Sequence, residues 1–189
     1  MIGFRSDIVI ALGGNLPLEQ ASPAATMTGA IAELAAEGLV IRAVSRFFAT
    51  PCFPAGAGPD YVNAAILATG MDDPAAVLGL LHRIEARFGR ARAQRWGMRT
   101  LDLDLLAFGD AVLPDAGVQG DWRALPPDRQ ATRTPDRLIL PHPRLQDRAF
   151  VLVPMCDIAP DWVHPLLGVT ARQMLAALPQ ADIAEIRPI

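Results

Sequence analysis

The chain contains no lysine, and all 17 of its basic residues are arginine. That absence removes several chemistries together. A P-loop sets its lysine on nucleotide phosphates, a Schiff-base enzyme needs an amine, and kinase-type folds carry a strand lysine. If this protein handles phosphate, arginine and metal must do so. Cysteine is scarce as well: Cys52 and Cys156 stand far apart with no CxxC or Cys/His spacing, which excludes a disulfide framework and a zinc site. No apolar run approaches the roughly 18 residues of a membrane span. The opening residues lack a charged stretch followed by a long apolar one, and residues 8–12 are an apolar run of only five. A soluble, cytoplasmic protein is expected, with no membrane partner.

What is present fits one globular unit. With 189 residues, 51% of them apolar and 20% charged, the chain suits a single domain spanning 1–189, too short for two ordinary catalytic domains. Such a domain buries on the order of 70% of its unfolded surface, so it needs no covalent or metal staple. A net charge of -3 argues against an extended nucleic-acid binder, which needs a broad positive field. No nucleic-acid partner is expected, and any anion site must be local.

Residues 8–12 read as a buried strand running into Gly13-Gly14-Asn15, a turn that lets backbone approach something closely. Ser22 and Pro23 are an N-cap and first-turn pair opening a helix that ends at Gly38. Strand character follows over 39–48 and again over 61–69, with a Pro- and Gly-rich loop between them. Asp73 and Pro74 cap a second helix through about Phe88, which Gly89 ends. A strand is expected over 100–108, an irregular surface insertion over 110–137, a buried strand over 150–154, and a last helix over 170–178 capped by Thr170. The order predicts an α+β sandwich of the ferredoxin-like kind, with helices packed on a mainly antiparallel sheet.

The strongest chemical signal is Thr100-Leu101-Asp102-Leu103-Asp104-Leu105-Leu106. Side chains alternate along a strand, so the two aspartates share one face and stand roughly 6 to 7 Å apart, within reach of a common pair of Mg²⁺ ions. In isolation such a pattern is more often the acidic polar face of a half-exposed strand than a metal site. Its neighbours shift the balance, because Arg87, Arg90, Arg92, Arg95 and Arg99 precede it with no acid among them. Carboxylates for cations beside guanidinium forks for phosphate oxygens are what a metal-polyphosphate ligand needs. Trp96 in that stretch is either a packing anchor or a cover for a planar substrate. Tyr61 and Asn63, two apart on a strand, share a face and suit a flat heterocycle, although each also fits an ordinary edge position. His142 sits between two prolines; a lone histidine is more often structural than catalytic, and the same holds for His82 and His164.

Taken in order, several stretches resemble the 6-hydroxymethyl-7,8-dihydropterin pyrophosphokinases of folate biosynthesis. They are Ala11-Leu12-Gly13-Gly14-Asn15, residues 45–51, Pro59-Asp60-Tyr61-Val62-Asn63, Arg83-Ile84-Glu85, Gly89-Arg90-Ala91-Arg92, residues 95–105, Leu140-Pro141-His142-Pro143-Arg144, Arg148-Ala149-Phe150 and Ile158-Ala159-Pro160-Asp161. The resemblance implies transfer of pyrophosphate from ATP to the hydroxymethyl group of the reduced pterin, leaving AMP. It implies that Asp102 and Asp104 hold two Mg²⁺, and that Arg90 and Arg99 assist the transfer. Glu85, Arg92, Arg95, Leu105, His142 and Arg148 would help hold ATP. Tyr61 and Phe150 would sandwich the pterin, Asn63 would read its edge, backbone around Thr50, Pro51 and Phe53 would complete the pocket, and Trp96 would close over it. A monomer with ATP and reduced pterin as its small-molecule partners is expected. Gly14, where the family more often has serine, is expected to loosen a turn, and Met98, where proline is common, a lid. Two other readings remain open from the residues: a nucleotidyltransferase, which places its glycines far closer to its acids than the almost ninety residues seen here, and a binding module without catalysis.

Overall fold

A computed structural model describes residues 7–52, 58–89, 99–126, 129 and 132–189. Six strands form one sheet: β1 (Ile8–Gly14), β2 (Val40–Val44), β3 (Phe48–Thr50), β4 (Tyr61–Thr69), β5 (Asp102–Phe108) and β6 (Arg187–Pro188). Their order is β5-β1-β4-β3-β6, with β2 also on β4, and each pairing is antiparallel. The expected α+β sandwich is therefore present, with β1 inserted between β5 and β4 as a split β-α-β arrangement requires. The strand expected over 39–48 is two strands, because the chain breaks after Val44 and Ser45 turns its side chain to accept the Ala65 N–H at 2.8 Å.

Two helices cover one face. In α1 (Pro23–Ala36) the Ser22 side chain accepts the Ala25 N–H at 3.3 Å, and Gly38 takes φ +106° just past the end. In α2 (Pro74–Arg87) Asp73 accepts the Ala75 N–H at 2.9 Å, and Gly89 takes φ +76°. Both starts and stops stand where side-chain capping and left-handed glycine put them. Ile8, Ile10 and Leu12 of β1 pack beneath these helices with Met27, Leu34, Leu80, Leu81 and Ile84.

The other face carries α4 (Ala149–Ile158) and α5 (Ala171–Ala177), with a short α6 (Gln180–Ala184) after them. Val9, Leu106 and Ala107 bury themselves against Val151, Leu152 and Met155 there. The expectation of a buried strand over 150–154 is overturned, since these residues are helical. The run Phe150-Val151-Leu152-Val153-Pro154 is short, apolar and β-branched, so periodicity cannot separate strand from buried helix. Tertiary packing decides: the sheet already has its strands, and its second face needs an apolar cover. The expected final helix is present, with Thr170 and Gln173 forming a reciprocal capping box.

The stretch 110–137, expected to be irregular, contains α3 (Ala116–Arg123), opened by Asp115 accepting the Val118 N–H at 2.9 Å. Gly117 and Gly120 make it a poor helix by propensity, which hid it. Tertiary bonds hold it instead. Arg144, 8% exposed, donates to the carbonyls of Arg123, Trp122 and Leu125 at 3.0, 2.9 and 3.3 Å, and so fills the orphan acceptors at the helix end with a cation. Gln119, fully buried, donates to Pro141 O at 3.1 Å. The insertion is thereby tied to the turn that bears His142. Arg144→Ala is expected to lower unfolding free energy by about 2–3 kcal/mol, because three carbonyls lose a charged donor; urea unfolding of the variant against wild type measures it.

Candidate active site

The sheet lays the functional side chains out in rows. On one side of β1, Gly13 pairs with Asp102 and Ala11 with Asp104; on the other, Gly13 pairs with Asn63 and Ala11 with Ala65. Neighbouring strands lie about 4.8 Å apart, so the Asp102 and Asn63 backbones stand about 10 Å apart with only a glycine between them. A Cβ on Gly13 would meet Asn63 Oδ1 at 3.2 Å, so the glycine keeps that amide clear. The start of α4 faces this row. Ala11, Gly13, Asn63, Asp102, Asp104 and Phe150 line one concavity with Leu12 and Val151. Leu103 and Leu105 turn to the opposite face, into the core below α1 and α2. The Leu105 side chain therefore lies away from the carboxylates.

The acid end of the row is already paired with cations. Arg99 Nη1 contacts Asp102 Oδ2, both side chains being about one-quarter exposed. Arg148 is close enough to Asp104 and Asp102 that both favour its charge, while burial, the larger influence, lowers its pKa. Its guanidinium also stands 5.6 Å from the centre of the Phe150 ring. Glu85, 1% exposed on α2, accepts the Leu103 N–H at 2.8 Å and so covers the free edge of β5. Where the resemblance puts Glu85 with ATP, the contact seen is with the acidic strand itself.

His142 is neutral. Burial, then Arg148 and Arg144, push its pKa down to about 3, with Asp102 opposing. Its Nδ1 accepts the Arg144 N–H at 3.1 Å, which leaves the proton on Nε2, and its backbone N–H reaches Leu106 O at 2.8 Å. At the far end of the row, Asn63 Nδ2 donates to Thr50 Oγ1 at 2.8 Å, and Thr50 pairs in register with Tyr61. Burial chiefly raises the Tyr61 pKa, while Arg99 lowers it and Asp102 raises it further. Pro51 follows Thr50 directly and is exposed.

The structure thus brings Asp102, Asp104, Arg99, Arg148, His142, Asn63, Tyr61, Thr50 and Phe150 to one face of the sheet or to the elements bounding it. Arg90, Arg92, Arg95, Trp96 and Phe53, with Met98, lie outside the described residues. Two features escaped the sequence reading. Gly14 does not loosen a turn: a Cβ there would stand 2.6 Å from Thr100 O, so the glycine permits a close approach of two chains. Asn15, quoted only as part of a motif, is 2% exposed and bonds to both flanks of the site. The Gly-Gly-Asn turn was the available signal, but its partners are 44 and 84 positions away.

Among the described residues no group of three or more Cys, His, Asp or Glu side chains could hold a metal. Two carboxylates on an otherwise small-residue floor remain, and that donor set fits Mg²⁺, which takes one or two carboxylates, keeps waters and completes its shell with substrate phosphates. It does not fit a closed structural zinc or calcium cage.

Comparison with known proteins gives the chain its family. Residues 9–160 match the family model described as 7,8-dihydro-6-hydroxymethylpterin-pyrophosphokinase. A Synechocystis sp. protein named 2-amino-4-hydroxy-6-hydroxymethyldihydropteridine pyrophosphokinase is 37% identical over 183 residues, 96% of this chain and 79% of that one. A Pseudomonas aeruginosa protein of the same name is 37% identical over 182 residues, covering 95% and 96%. Among solved structures, an HPPK-DHPS crystallised with substrates superposes with a TM-score of 0.63 at 14% identity, over 92% of this chain. This chain spans 43% of that one, and the likeness is one of fold. No helix among the described residues is long and apolar enough to cross a membrane.

Two histidines set an acid limit on stability. Burial chiefly holds His142 at about 3 and His164 at about 4, each below the ordinary 6.5. The unfolded chain therefore binds more protons in that interval, and stability present above about pH 6.5 is lost as pH falls toward 3. Between pH 6.5 and 5.5, above the range where carboxylates contribute, each histidine is expected to account for on the order of 1 kcal/mol. Urea midpoints measured across that window should fall for wild type and fall less for His142→Gln.

Proposed function

The chain belongs to the 7,8-dihydro-6-hydroxymethylpterin-pyrophosphokinase family and transfers a pyrophosphoryl group to 6-hydroxymethyl-7,8-dihydropterin in folate biosynthesis, and we propose that its donor is ATP, held with two Mg²⁺ on Asp102 and Asp104, and its second product AMP. The observation that carries this reading is the row Asp102–Gly13–Asn63, which sets a carboxylate end and an amide end about 10 Å apart on one open floor. A flat ring read by Asn63, with its hydroxymethyl arm directed along the row, would present its oxygen at the carboxylate end.

The new bond joins that oxygen to the β-phosphorus of the nucleotide as its O–H bond breaks and the proton passes to solvent; the bond from the β-phosphorus to the bridging oxygen of the α-phosphate breaks, and AMP leaves with the electron pair. Such transfer asks the protein for in-line positioning and charge stabilisation rather than covalent chemistry. Bound Mg²⁺ would supply neutralisation of phosphate charge. Arg99 and Arg148 supply guanidinium donors at the same end, and on family resemblance Arg90, Arg92 and Arg95 add others. His142, neutral with its proton on Nε2, offers a donor to a phosphate or nucleotide acceptor. Tyr61 and Phe150 would bound the ring faces, backbone at Thr50, Pro51 and Phe53 its rim, and Trp96 would cover it. Leu105 contributes backbone, and Glu85 acts by holding β5. In this reading the protein works as a cytoplasmic monomer.

Asp102→Ala is expected to abolish pterin- and Mg²⁺-dependent AMP formation, and Arg99→Ala to slow it by roughly 10³-fold with the fold intact, as for other arginines that act on phosphoryl transition states. Following AMP with each variant beside its melting curve tests both roles. Full activity in either variant would remove that residue from the mechanism.

A further inference from the structure

Asn15 stands at the end of β1, outside the row of residues that face the concavity, yet it bonds to both sides of the site. Its Oδ1 accepts the Arg99 N–H at 2.9 Å, and its own N–H donates to Arg99 O at 2.9 Å. One residue thus satisfies both polar groups of the Arg99 main chain, and the Leu16 N–H adds a second bond to the same carbonyl at 3.0 Å. The remaining end of the side chain, Nδ2, donates to Pro59 O at 3.1 Å. Pro59 lies two positions before Tyr61 and four before Asn63, at the entry to β4. Gly14 suits the close approach seen here, since a Cβ built on this backbone would stand 2.6 Å from Thr100 O.

We infer that Asn15 is a positioning residue that sets the backbone of Arg99 and the entry of the pterin-facing strand relative to one another, through the two ends of one buried amide. The inference rests on the pyrophosphokinase reading for the roles of Arg99 and β4. The chemistry of the position demands an amide. Only asparagine offers, at this side-chain length, an acceptor for the Arg99 N–H and a donor for Pro59 O at once. Aspartate keeps the acceptor and loses the donor; leucine, of similar size, loses both. Because Arg99 is three residues from Asp102, a shift of its backbone alters the direction from which its guanidinium reaches the phosphate end, and misplacement of an ångström is costly in catalysis.

The two tethers are separable by experiment. In Asn15→Asp the pterin KM should rise by about tenfold with kcat within about threefold of wild type, since only the bond to the β4 entry is lost. In Asn15→Leu the pterin KM should rise similarly and kcat should also fall by about a hundredfold. Amide hydrogen exchange gives a readout independent of turnover: the Arg99 N–H should exchange faster in Asn15→Leu and stay protected in Asn15→Asp. Wild-type kcat in Asn15→Leu, equal losses of kcat in the two variants, or an Arg99 amide whose protection ignores both substitutions would overturn the assignment. If Asn15→Leu fails to fold, Asn15→Asp decides by its split of KM from kcat and its retained Arg99 protection. Absence of pterin-dependent AMP in wild type would instead remove the functional reading, and exchange at Arg99 would still test the tether.

Discussion

Everything in the site hangs on the pairing register of β1. Side chains alternate along a strand, so a slip of one residue against β5 would turn Asp102 and Asp104 toward α1 and α2 and bring Leu103 to the surface. What prevents the slip is apolar burial. Ile8, Ile10 and Leu12 of β1 are 0–1% exposed on the helix face, and each such side chain is worth roughly 1.5–3 kcal/mol of burial. The carboxylates owe their aim to hydrophobic residues that never meet a ligand. Glu85 secures the outer side of the same arrangement by taking the Leu103 N–H, so an edge strand with a free ladder is held by a carboxylate from α2.

A second theme is charge held in balance. The two aspartates on β5 would repel one another on a dry floor, and the structure answers with Arg99 on Asp102 and Arg148 near both. These same guanidinia are the groups that a polyphosphate would draw. In the proposed reading these groups stay ordered through internal partners whose places phosphate and metal would take. Arginine suits the task because its charge survives burial, whereas a lysine at the position of Arg148 would be prone to lose its proton.

The parts of this fold that could be read from the chain are those decided locally. Ser22 with Pro23, Asp73 with Pro74, and Thr170 with Gln173 announce helices within four residues, and Asp102 with Asp104 between leucines announces a two-faced strand. Residues 150–154 were misread because a short, β-branched apolar run carries no period of its own, and only the need to cover the sheet's second face makes it helical. The helix beginning at Ala116 was invisible for a related reason: its glycines weaken it, and the cation that completes its end is Arg144, 21 residues from Arg123. In the site, residue types were legible while connections were not. Asp102, Asn63 and Arg99 could be named from spacing and motif, but Asn15 finds its partners at Pro59 and Arg99, and nothing within its own turn discloses them.

In the proposed reading the row from Asp102 through Gly13 to Asn63 would also work as a ruler. Two strand spacings are fixed by backbone hydrogen bonding and do not stretch to suit a ligand. An acceptor molecule held at the amide end reaches the carboxylate end only if the arm between its ring and its oxygen has the right length. An arm one carbon shorter would leave the oxygen short of the phosphorus, and one longer would fold it off the line of attack. On that reading, selectivity for chain length would follow from the strand spacing of the sheet.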